Sequence, residues 1–62
     1  MTADMLRPYT GPRLRQTRER RKLTRKALAA KAGVGLRSLA RWELGEAIPS
    51  ALAVEALRRA LA

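Results

Sequence analysis

Apolar positions fall at helical spacing in four stretches of this sequence, and the residues between those stretches are the ones that start and stop helices. A first helix is predicted from Pro12 to about Arg21, with Pro12 suited to a first turn and Thr10 or Gly11 placed to cap it. Its inward face is Leu14, Thr17, Arg18 and Arg21, which is poorly apolar, so this helix needs tertiary support. A second helix is predicted over Arg25–Ala32. Thr24 is its N-cap, Leu28, Ala29 and Ala32 form its stripe, and Gly33 stands where a left-handed residue is wanted. A third runs from Leu36 to Leu44 between Gly35 and Gly45. A fourth starts after Pro49 with Ser50 as N-cap, and its stripe is Val54, Leu57 and Leu61 with Leu52 nearby. Residues 1–10 lack a stripe and contain Pro8. They read as a flexible arm from which Met5, Leu6 and Tyr9 can dock, ahead of a folded unit over residues 11–62.

Only three residues, Gly33 to Gly35, separate the second and third helices. Two short helices joined this tightly predict a helix-turn-helix inside a compact all-α, four-helix domain. At about 100° per residue, Leu39 and Trp42 share one side of the third helix, flanked by Glu43. Arg37, Arg41 and Leu44 share the opposite side, with Ala40 beside them leaving room for close approach. Each guanidinium is a planar fork that matches guanine O6 and N7 in a major groove. The plainer reading of Arg37 and Arg41 is a pair of solvated surface arginines. Leu36 stays open between packing on the second helix and touching a thymine methyl. Glu43, the one acid of the third helix, needs a partner if it lies near the core. Arg18 is the best candidate, and weak pairing at the surface is the alternative.

Charge sharpens this picture. Fourteen Lys and Arg face five Asp and Glu, for a formal charge of +9. Between Gly11 and Arg41 stand eleven cations and one acid, Glu19, whereas the last twenty-one residues are nearly balanced. A field of this kind attracts polyanions, nucleic acid or anionic lipid, where a bland reading is a solubilising surface. At the start of the second helix the free amides of Arg25, Lys26 and Ala27 suit a phosphate oxygen, and the side chains of Arg25 and Lys26 add charge. Arg13, Lys22 and Lys31 are further backbone-contact candidates that the sequence does not rank.

Other classes fare worse. The chain has 62 residues and neither His nor Cys, so the commonest general base, the commonest metal ligand and disulfides are missing. No close carboxylate pair or activated nucleophile stands out, which argues against an enzyme and for a protein without cofactor or metal. No apolar run approaches the roughly 20 residues that span a bilayer, and the first helix lacks the apolar face of a membrane-surface helix. With Asp4 and no apolar leader stretch near the N-terminus, a cytoplasmic protein is expected.

The ordered set Leu23-Thr24, Leu28-Ala29, Ala32-Gly33-Val34, Leu39, Trp42-Glu43-x-Gly45 and Pro49-Ser50 resembles the lambda-repressor-like, or Cro/C1-type, helix-turn-helix domains. The likeness extends from Leu14 to Leu61. It implies base contacts from Leu36, Arg37 and Arg41. It implies DNA-backbone contacts from Thr24, Arg25, Lys26, Gly35 and Leu44, and a structural ion pair of Arg18 with Glu43. Arg25 stands where the family usually has Gln, and Gly35 where it usually has Ser or Thr, so the hydroxyl there is lost. The implied protein is a sequence-specific, double-stranded DNA-binding regulator, a Cro-like repressor of phage or prophage type. It would act as a homodimer on a pseudo-palindromic operator. Many members complete their dimer with a fifth helix, and this sequence ends at Ala62 after its fourth. An antitoxin, a restriction–modification controller and a protein-interaction module are alternatives on the same scaffold. An exposed apolar strip of Leu36 and Leu44 would favour the last.

Overall fold

The Thr24 and Ser50 hydroxyls each accept the backbone N–H three residues on, from Ala27 at 3.0 Å and Ala53 at 3.2 Å, and so fix the starts of two helices. The computed structural model describes residues 9–62. They form four helices: α1 (Gly11–Arg20), α2 (Arg25–Ala32), α3 (Leu36–Glu43) and α4 (Ala51–Leu61). Among the described residues there is no strand. The arm expected over residues 1–10 lies, up to Pro8, outside the described residues. Tyr9 is half-buried and packs against the core.

Three helices end in the same way. The chain passes through a left-handed residue, and two backbone N–H groups fold back onto the last helical carbonyls. After α2 that residue is Gly33 (φ +71), with Val34 N–H on Ala29 O at 3.0 Å and Gly33 N–H on Ala30 O at 3.3 Å. After α3 it is Gly45 (φ +76), with Glu46 N–H on Arg41 O at 2.9 Å and Gly45 N–H on Trp42 O at 3.2 Å. After α1 it is Lys22 (φ +59), with Leu23 N–H on Arg18 O at 3.2 Å and Lys22 N–H on Glu19 O at 2.9 Å. These turns move two boundaries by one residue from the sequence expectation. α1 stops at Arg20 because the Arg21 N–H is shared between Thr17 O and Arg18 O, and α3 stops at Glu43 because the chain turns at Gly45.

The core is Leu14, Leu28, Ala29, Leu39, Leu57, Ala60 and Leu61, with Tyr9, Leu23, Ala32, Val34 and Trp42 packed around it. One leucine from each helix, Leu14, Leu28, Leu39 and Leu57, is fully buried. Each contributes on the order of 1.5–3 kcal/mol by leaving water. α2 packs on α4 and on α3, and α1 packs on α3. α3 is therefore held from two sides. Leu52 does not join the α4 stripe. It lies about 160° around the helix from Val54 and is 85% exposed.

Candidate nucleic-acid interface

Leu39 and Glu43 are the buried residues of α3, and Trp42 is half-buried beside them. Arg37, Arg41 and Leu44 are exposed, and Ala40 is half-buried between the two sides. Leu36 is 49% exposed. It sits on the edge between the faces, about 20° from Glu43 by helical spacing, which is why half of it stays in water.

Arg18 on α1 meets Glu43 on α3 edge to edge. Arg18 Nε donates to Glu43 Oε2 at 2.6 Å, and Nη2 donates to Oε1 at 3.1 Å. The remaining nitrogen, Nη1, donates to the carbonyl of Leu23 at 2.7 Å. Burial works to raise the Glu43 pKa, but the hydrogen bonds from Arg18 and then Arg25, with their charges, outweigh it. The carboxyl is held below the ordinary glutamate range. The same bond to Glu43, against the opposing effect of burial, raises Arg18 above its ordinary value. No buried side-chain nitrogen or oxygen among the described residues lacks a partner.

Arg25 is the residue whose arrangement sequence reasoning missed. Its Nε donates to Glu43 Oε1 at 3.2 Å, while 41% of its side chain stays exposed. With eleven cations between Gly11 and Arg41, spacing alone offers no means of choosing which reaches Glu43 besides Arg18. The available signal is position. Arg25 opens α2, two residues after the Leu23 carbonyl that Arg18 holds.

The remaining candidates sit around this point. Thr24, Arg25 and Lys26 from the start of α2, and Leu36, Arg37 and Ala40 from α3, line one shallow groove whose walls are mostly carbon, with Arg18 contributing to it. Thr24 is exposed, but its hydroxyl is engaged as the α2 cap. Lys26 is exposed. Gly35 is exposed at the N-cap of α3 and, having no side chain, offers only its backbone. Leu44 lies beyond the groove at the far end of α3, 65% exposed. The groove thus has an apolar floor and a cationic rim, a surface suited to a partner that combines flat apolar groups with negative charge.

Among the described residues no helix is long and apolar enough to cross a membrane. The helix-turn-helix family profile matches residues 14–62, which covers all of α2, α3 and α4 and most of α1. No curated protein and no solved structure matches the chain.

Proposed function

The chain belongs to the lambda-repressor-like helix-turn-helix family of DNA-binding regulators, and from that premise we propose that it is a sequence-specific repressor reading the major groove with α3. Arg37 and Arg41 read base edges, as bidentate forks where the base is guanine. Leu36 supplies an apolar contact such as a thymine methyl accepts. Thr24, Arg25, Lys26, Gly35 and Leu44 lie along the sugar–phosphate backbone and fix register without reading sequence. The observation that carries this reading is the division of α3: Leu39 and Glu43 buried, Arg37 and Arg41 exposed on the other side. A reading helix must be immobile on one face and cationic on the other.

The protein acts as a homodimer on a pseudo-palindrome, with half-site centres about 34 Å apart or a multiple of that, and it works in the cytoplasm. Phage or prophage control, an antitoxin and a restriction–modification controller all use such a site. Random-site selection with the purified chain tests the proposal. Enrichment of one pseudo-palindromic sequence is expected, and recovery of unenriched duplex overturns it. Leu36 and Leu44, 49% and 65% exposed, favour a second reading as a protein-interaction module. Under that reading the same selection enriches nothing.

A further inference from the structure

Glu43 holds one more cation than its charge requires. Arg18 already matches it edge to edge, one guanidinium on one carboxylate, at 2.6 and 3.1 Å. Oε1 nonetheless accepts a third bond, from Arg25 Nε at 3.2 Å. Two guanidiniums against one carboxylate leave a net charge of +1 on the cluster. That surplus does not reside on Arg18, whose side chain is 10% exposed and whose Nη1 is spent on the Leu23 carbonyl. It resides on Arg25. The terminal Nη atoms of Arg25 have no hydrogen-bond partner among the described residues, and its side chain lines the groove beside Leu36 and Arg37.

We propose that Glu43 is a positioning residue for Arg25, gripping its guanidinium by Nε so that the two Nη groups are presented to a phosphate oxygen of bound DNA. The inference rests on the DNA-reading proposal above and adds a residue to it that touches no DNA. A free arginine visits many rotamers, and seating it on a phosphate ends that freedom. A partner that orders the side chain beforehand removes part of the cost from the binding step. The grip uses the Nε edge and leaves the Nη1–Nη2 end, which is itself a two-donor fork. Glu43 does not repel the phosphate strongly, because it is buried and Arg18 cancels its charge. The ion pair that ties α1 to α3 thereby also sets the backbone contact of α2.

The test is a double-mutant cycle on the full chain, read as affinity for the selected duplex by fluorescence anisotropy. E43Q is expected to weaken binding on the order of five- to tenfold when Arg25 is present, and less than about twofold in the R25A background, because the loss passes through Arg25. Equal losses in both backgrounds overturn the proposal and leave Glu43 a purely structural residue. Thermal melts establish which variants are folded at the assay temperature. Should E43Q unfold, hydrogen exchange at the arginine Nε–H groups of the unaltered chain decides. Arg25 is expected to exchange slowly alongside Arg18, and exchange as fast as that of Arg37 and Arg41 overturns the proposal. An additive cycle on a duplex that R37A and R41A no longer discriminate sinks the positioning role alone. A chain that binds no duplex sinks the DNA reading with it.

Discussion

Arg18 and Glu43 lie twenty-five residues apart in sequence and share two parallel hydrogen bonds inside the protein, one of 2.6 Å and one of 3.1 Å. The fork-to-fork geometry fixes the relative rotation of α1 and α3, not only their separation. α1 needs such a tie, since Leu14 is the only large apolar side chain it buries. The pair also sets the tilt of α3, and so the direction in which Arg37 and Arg41 leave the surface.

Breaking this pair from one side should be severe. E43L leaves the buried Arg18 guanidinium without its counter-charge, which costs on the order of 3–5 kcal/mol, and R18M, which leaves Glu43 only the partly exposed Arg25, costs somewhat less. In a protein this small that is a large share of total stability. The expected outcome is a chain largely unfolded near room temperature by circular dichroism. Replacing both partners together, R18M with E43L, should be far milder than either change alone. A double variant as unstable as the sum of the singles contradicts the pairing.

Acid should act through the same carboxylate. Glu43 is held below the ordinary glutamate value of 4.5 by Arg18 and Arg25, which outweigh burial. A folded-state pKa below the unfolded one gives stability that is complete above the unfolded value. It is lost as pH falls through the folded value. Urea midpoints should therefore stay level from neutral pH down to about 5 and decline below it. The exposed Glu55, also lowered, by Arg58, adds to the decline only through a screened surface pair. A midpoint that rises on acidification from pH 5 to 3 would overturn the assignment.

R37A and R41A address reading. Each should cost about 1–3 kcal/mol on the selected operator, roughly 5- to 150-fold, and clearly less on random duplex. The two losses should map to different base pairs when each variant is put through its own site selection. Equal losses on operator and random sequence would reduce both residues to phosphate attraction.

R25A addresses register. It should weaken binding to operator and random duplex alike. The slope of log affinity against log salt should become shallower by about one ion, as expected for a lost phosphate contact. An unchanged slope would remove Arg25 from the backbone contacts.

Much of this architecture is legible in the sequence because short-range chemistry announces it. Thr24 and Ser50 before apolar stripes give helix starts, and both hydroxyls cap as expected. Gly33 and Gly45 announce left-handed turns, and both have positive φ. The faces of α3 follow from periodicity, with Leu39 buried and Arg37 and Arg41 exposed. Three features escape. Leu52 sits beside the α4 stripe in sequence but across the helix in space, where the period places it and adjacency misleads. The Arg25–Glu43 bond depends on the packing of α2 against α3, which no local pattern encodes. Lys22 adopts a conformation that only glycine advertises.

That last residue has a consequence for engineering. A lysine at φ +59 carries a steric cost on the order of 1 kcal/mol that glycine would not, at a corner otherwise built like the two glycine corners. K22G should therefore melt a few degrees higher, yet it strips one cation from a surface whose task we take to be attracting polyanions. Heat tolerance and long-range capture of a partner are set against each other at one side chain, and a designer can raise either only by lowering the other.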